Sequence, residues 1–170
     1  MSQTNELEIM ERIALDLEHV EESLASSFNT GAEDFNALIR PLSAAGGKRL
    51  RAQLCLLIAN AGTSIERQRI KIAEAVEMLH LATLIHDDVL DQAEIRRGED
   101  TIHMHKGNKV AILSGDYLFA KAFKIVSEMT NMKYLQVFSH IITCLVEGEF
   151  MQMEDVYRID QGIELSLIHI

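Results

Sequence analysis

A single proline, Pro41, and nine glycines interrupt 170 residues. Proline removes a backbone donor and glycine favours non-helical conformations, so a chain with so few of either has few places to end a helix. Apolar residues recur at three- and four-residue intervals, and strict alternation is scarce, which is the period of helices and not of strands. The spacing predicts a first helix over about 4–27, with Leu7, Ile9, Met10, Ile13, Leu17, Val20 and Leu24 on its buried side. A short helix is predicted over about 32–39, ended by Pro41, with Leu42 to Gly46 as a linker. Gly47 is expected to open a helix that runs to about Asn60, and Ser64 to cap a long one reaching Asp91. Residues 92–106 read as polar and irregular. Helices resume over about 108–129 and about 131–157. The expected fold class is all-α, a bundle of long helices around a central cavity.

About half the residues are apolar, enough for one domain with a substantial core. The formal charge of −10 without a basic stripe argues against a nucleic-acid partner. Cys55 and Cys144 sit among apolar neighbours, which suits reduced core thiols and a cytoplasmic protein. The polar N-terminus has no signal-peptide core, and no apolar run approaches the ~20 residues of a transmembrane segment. The segment Gly162 to Ile170 lacks helical rhythm and ends on apolar residues. It reads as a truncated or spliced-on end, or else as a short element docking on the bundle.

Chemistry concentrates at His86-Asp87-Asp88-Val89-Leu90-Asp91 and the Arg96-Arg97-Gly98 that follows. On a helical wheel His80, Asp87 and Asp91 fall within about 40°, with Leu84 beside them. Two carboxylates one turn apart at a helix C-terminus, where the carbonyl dipoles already favour positive charge, call for a cation. Mg²⁺ is held by one or two carboxylates together with phosphate oxygens. The same pattern also suits a solvated acidic helix end. Gly46-Gly47-Lys48-Arg49-Leu50-Arg51 places cations at a helix start, against the dipole, and a bound anion gives a reason for them. Arginine forks grip phosphate directly, so Arg96 and Arg97 can each serve a phosphate group, or else neutralise Asp91, Glu94 and Glu99. Glu147-Gly148-Glu149-x-x-Gln152 puts a glycine between two glutamates inside a helix, at a cost of about 1 kcal/mol relative to alanine; close packing or ligand approach would explain it, as would a solvated polar face.

In this order, with Met78-Leu79-His80 and Ser114-Gly115-Asp116-Tyr117-Leu118-Phe119, these elements resemble the trans-isoprenyl diphosphate synthases, the polyprenyl synthetase family. The resemblance covers roughly residues 10–158, so that 1–160 corresponds to the family's N-terminal half and 161–170 to an atypical tail. It implies condensation of isopentenyl diphosphate with an allylic diphosphate. Asp87 and Asp91 would bind Mg²⁺, with Asp88 in support. Arg96 would contact the allylic diphosphate, while Lys48, Arg51, His80 and Arg97 would hold isopentenyl diphosphate. Glu149 and Gln152 would line the cavity. Small residues at Ala82 and Thr83 resemble enzymes with products of about six to eight isoprene units, precursors of quinone side chains. Homodimers are usual in the family.

The chain departs from the family at Ala52, where proline is frequent. Nothing after Asp160 resembles the family's second aspartate-rich motif or its lysine-threonine pair, so these 170 residues are expected to be inactive or nearly so. Other readings are a non-catalytic partner subunit of a heteromeric synthase, a di-iron bundle using Glu77-x-x-His80, and a terpene cyclase. The di-iron reading lacks a second Glu-x-x-His, and the basic cluster for a second diphosphate points to condensation rather than cyclisation.

Overall fold

The computed structural model describes residues 3–28, 33–44, 48–62 and 66–155. Helices α1 (Gln3–Ser27), α2 (Glu33–Ala44), α3 (Leu50–Asn60) and α4 (Glu66–Leu90) are followed by a two-stranded hairpin, β1 (Ile95–Arg96) and β2 (Glu99–Asp100). Helices α5 (Ile102–Lys106), α6 (Asn108–Ser127) and α7 (Met132–Asp155) complete the order. The protein is all-α, and the chain divides into two units, Met1–Met129 and Thr130–Ile170. Among the described residues of the second unit, α7 is the only element.

In the first unit α4 is the central helix, with α1, α3, α5 and α6 all packed on it. It is buried on several sides, at Ala73, Ala75, Met78, Leu79, Leu81, Ala82 and Ile85, and so lacks the single apolar stripe of a surface helix. Its most extensive partner is α6, which turns Ala111, Ser114, Gly115, Leu118, Ala122 and Val126 inward at helical spacing. Alanine, serine and glycine at this crossing let the two backbones approach closely. A side chain at Gly115 would begin 2.2 Å from His86 Nε2.

Helix α1 buries Ile13, Val20 and Leu24, and places Asp16 on the same face. Asp16 accepts two hydrogen bonds from Arg69 of α4, at 2.6 Å to Nε and 3.0 Å to Nη2. Both side chains are more than nine-tenths buried, so each charge depends on the other. Losing one partner of such a pair costs about 3–5 kcal/mol.

Several expectations are corrected. Leu7 and Met10 are exposed, because the inward face of α1 is carried by Ile13, Asp16, Val20 and Leu24. Pro41 lies inside α2 and does not end it. Its missing N–H would have met the carbonyl of Ala37, and both residues face solvent, where water can serve that oxygen. Helix α3 begins at Leu50, three residues later than expected. Residues 92–106 are ordered as a helix cap, a hairpin and a short helix. Cys55 is half-buried and its thiol is pushed up by burial and by Glu77, whereas Cys144 is exposed with its Sγ 3.7 Å from His140 Nε2, so it is not a core thiol. Gly46, Gly47, Ser64 and the segment 162–170 lie outside the described residues.

Candidate active site

The C-terminal turns of α4 carry the three carboxylates. The Asp91 N–H donates to the Asp87 carbonyl at 2.8 Å, so the helix still winds through both residues and sets them on consecutive turns of one face. The helix then stops in a Schellman cap: Ala93 N–H donates to Asp88 O at 2.9 Å and Gln92 N–H to Val89 O at 3.4 Å, with Gln92 at φ 52°. Glycine is the usual residue at that left-handed position. This cap reverses the chain sharply and sends the next residues back along α4.

Those residues form the hairpin, with Ile95 opposite Asp100 and Arg96 opposite Glu99. Its two-residue turn, Arg97-Gly98, has φ of 54° and 86°, the positive pair of a type I′ turn that matches strand twist. Thr101 closes the base. Its N–H donates to Glu94 O at 3.0 Å, its hydroxyl donates to Ala93 O at 2.8 Å, and the same oxygen lies 2.9 Å from His103 Nδ1. Held in this way, Arg96 donates from Nε to Asp88 Oδ1 at 2.6 Å. Asp88 is buried, so the second aspartate of the motif is committed to an arginine.

The basic cluster enters from α3. Arg49 caps that helix in the left-handed region, at φ 46°. It pairs with Glu21 of α1 at 2.5 Å and with buried Glu77 of α4 at 3.5 Å. Glu77 also accepts the Ala52 N–H at 3.0 Å, satisfying a donor in the first turn of α3. Arg49 and Glu77 thus dock the start of α3 onto α4. Two residues on, Arg51 Nη1 reaches His80 Nε2 at 3.1 Å. Lys48 turns elsewhere, to an open cleft of about 440 Å³ that it lines with Glu18, Glu21 and Glu22 of α1. Lys48 and Arg51, three residues apart, thus lie against different helices, α1 and α4.

His80 reports how these elements converge. Burial, then Arg51, Arg97, Arg96 and Arg49, lower its pKa from 6.5 to about 4. Arginines from α3 and from the hairpin, more than 40 residues apart in sequence, thus act on one imidazole. Seven residues along α4 from His80 comes Asp87, about 10 Å further along the axis. A cationic region and an acidic one lie on a common face of α4, a spacing suited to two anionic groups bridged on one side by a metal. Asp87 and Asp91 offer hard oxygen donors and are few, which fits an ion that completes its shell with water and phosphate oxygens. Among the described residues no cluster of three or more Asp, Glu, His or Cys forms a closed metal cage. Glu77, half of the di-iron motif, is taken up by Ala52 and Arg49. Glu149 and Gln152 are exposed residues three apart on α7, in the second unit.

Sequence reasoning missed Arg49, Glu77, Gln92 and Thr101 as the supports of the site. A buried glutamate among the apolar positions of α4 was the one visible signal; the left-handed Arg49, Gln92 and Arg97 carry none.

Comparison with known proteins places the sequence and the fold. The family model for polyprenyl synthetase matches residues 32–166. Heptaprenyl diphosphate synthase component 2 of Geobacillus stearothermophilus is 38% identical over 153 residues, covering 89% of this chain and 48% of that protein. Octaprenyl diphosphate synthase of Escherichia coli is 32% identical, covering 87% and 46%. Among solved structures, a polyprenyl synthase from Caulobacter crescentus complexed with calcium and isoprenyl diphosphate superimposes with a TM-score of 0.86 at 32% identity, over 94% of this chain and 49% of that one. A geranylgeranyl pyrophosphate synthase from Lactobacillus brevis gives 0.87 at 31%, over 94% and 50%. The chain spans about half the length of these relatives.

Proposed function

This chain belongs to the polyprenyl synthetase family, and from that premise we propose that its site works in head-to-tail prenyl transfer. Isopentenyl diphosphate attacks the carbocation left when an allylic diphosphate ionises, and loss of a proton completes a trans-polyprenyl diphosphate. One observation carries this proposal: the arginines of α3 and of the hairpin converge on His80, on the same face of α4 as Asp87 and Asp91.

Breaking the allylic C–O bond builds negative charge on the departing diphosphate. Preorganised cations at that point stabilise the transition state without having to reorganise. Arg96, fixed by Asp88, takes the allylic diphosphate. Arg51, His80 and Arg97 hold the diphosphate of isopentenyl diphosphate, and Lys48 joins them by swinging out of the cleft that it lines with α1. Asp87 and Asp91 hold Mg²⁺, which when bound neutralises charge on the allylic diphosphate. Glu149 and Gln152 line the path of the growing chain. Ala82 and Thr83, just before Asp87, leave room for a product of about six to eight units, a quinone side-chain precursor. The protein works in the cytoplasm as a homodimer. The name of the relative from Geobacillus stearothermophilus, a component 2, supports a second arrangement, in which a distinct partner chain completes the enzyme. Co-purification of such a chain separates the two.

The test is in two parts. Calorimetry with inorganic pyrophosphate and Mg²⁺ should show binding that weakens about tenfold or more in Arg97→Gly, which keeps the turn and removes a charge-assisted contact. A chain that binds no pyrophosphate refutes the assignment. Steady-state assays with isopentenyl and farnesyl diphosphates should show little or no turnover by these 170 residues alone, because no second aspartate-rich motif lies within them; robust turnover refutes that expectation.

A further inference from the structure

We propose that diphosphate binding reverses the polarity of the Arg51–His80 contact: His80 takes up a proton from solvent at Nε2 and becomes a donor to the bound anion. The proposal rests on the diphosphate site described above and adds to it a linked proton.

The starting state follows from hydrogen-bond chemistry. A guanidinium carries five N–H groups and no acceptor. With Arg51 Nη1 at 3.1 Å, His80 Nε2 must present its lone pair, so the ring is neutral and its proton is on Nδ1. The charged groups that act most strongly on the ring in this state are cationic: Arg51 and Arg49 at the start of α3, Arg97 and Arg96 on the hairpin. Several acids of the surrounding elements are engaged elsewhere, Asp88 with Arg96 of the hairpin among them. Glu77, one turn back on α4, serves Ala52 and Arg49. Glu21 of α1 serves Arg49. Asp116 of α6 faces His86 at 3.5 Å, and His105 of α5 faces Asp100 at 3.9 Å.

An arriving diphosphate changes the balance on each count. Its oxygens compete for Arg51, which releases Nε2. Its charge offsets the field of the four arginines. A lone pair directed at a phosphate oxygen repels it, whereas an N–H⁺ makes a short charge-assisted bond. One proton moves from solvent to Nε2, one Arg51 hydrogen bond moves from nitrogen to phosphate oxygen, the new Nε2–H⁺ donates to a second phosphate oxygen, and no other covalent bond changes. An opposite charge within about 4–6 Å shifts a pKa by about 1–3 units, so the His80 midpoint should rise by about two pH units on binding.

The experiment is a histidine-detected NMR titration of the full 170-residue chain, with ¹⁵N-labelled imidazoles. It is run from pH 8 to 4.5, with and without saturating inorganic pyrophosphate, and with a chelator present so that no metal occupies Asp87 and Asp91. His80→Gln identifies the resonance. The expected result is an Nδ1–H tautomer without pyrophosphate, with a midpoint below 5, and a midpoint about two units higher with it. Arg51→Gln should abolish most of that rise. If pyrophosphate saturates the site and the His80 midpoint does not move, the proton linkage is wrong while the diphosphate site stands. If pyrophosphate does not bind at all, the site itself fails and the linkage with it. An Nε2–H tautomer without pyrophosphate also overturns the proposal.

Discussion

At His80 the fold keeps neutral an imidazole that the unfolded chain protonates. The unfolded midpoint is the ordinary 6.5 and the folded one about 4. Above pH 6.5 neither state holds the proton and the residue is neutral to stability. As pH falls from 6.5 toward 4 the unfolded state alone gains it, so stability drains across that window and levels off below it. The ring is partly exposed, and solvent reduces the effect below what the full shift implies. Thermal melts of the wild type should therefore lose midpoint temperature between pH 6.5 and 4.5, His80→Gln should lose less, and pyrophosphate should restore part of the loss; parallel profiles for the two proteins would count against the burial of a neutral His80. Gly115 makes the second residue-scale case. An alanine methyl there meets the His86 ring at 2.2–2.9 Å. The ring is held by the Ile112 carbonyl, 3.1 Å from Nε2, and packs against Phe119 with ring centroids 5.4 Å apart. Gly115→Ala should cost about 1–3 kcal/mol by overpacking. His86→Ala in the same chain should recover much of it, because the clash then disappears; additive losses in the double-mutant cycle would show that the glycine is needed for another reason.

The elements around the site differ in how far the sequence announces them. The long helices follow the three- and four-residue rhythm of apolar side chains, and α1 and α4 lie close to their expected spans. His80, Asp87 and Asp91 share a face of α4 because helical geometry alone puts them there. The loop between Asp91 and Ile102 is different. Its strands are two residues long and show no alternation, so periodicity has nothing to read. Its two bends fall on Gln92 and Arg97, which are not turn-forming residues by preference. Backbone and hydroxyl hydrogen bonds within the loop hold them instead: the carbonyls of Asp88 and Val89 at the first, the Thr101 clasp at the hairpin base near the second. Pro41 misleads for the opposite reason, because its local signal is strong but solvent removes its consequence. The strain at Gln92 is measurable. A non-glycine side chain at φ 52° costs about 1 kcal/mol. Gln92→Gly relieves it, less the added freedom of glycine in the unfolded chain. The net expectation is about 0.5 kcal/mol of stabilisation by urea denaturation, with pyrophosphate affinity unchanged. A destabilised variant would mean that the Gln92 side chain makes a contact worth more than the strain.

For the whole molecule the governing feature is an unburied apolar stripe. Helix α3 turns Ala52 and Leu56 into the core, yet Leu50, Leu54, Leu57 and Ile58 remain between 47% and 65% exposed. These four recur at helical spacing, so they form one continuous row. Single exposed leucines are ordinary, but a row of four on one face is a surface that water disfavours. Each methylene removed from water gains about 0.8 kcal/mol, and two copies meeting along such rows bury many of them. The 170-residue chain should therefore bind a hydrophobic dye while fully folded and should associate as its concentration rises, read by sedimentation velocity. Leu54→Glu combined with Ile58→Glu places two like charges on the row and should weaken both behaviours, the exposed apolar residues of α7 accounting for what remains. The melting temperature should change little, because neither side chain lies in the core. That combination separates a surface effect from loose packing. A chain that stayed monomeric and dye-free at high concentration would show that the row is covered. A double variant that lost its cooperative melt would show that Leu54 and Ile58 hold the first unit together.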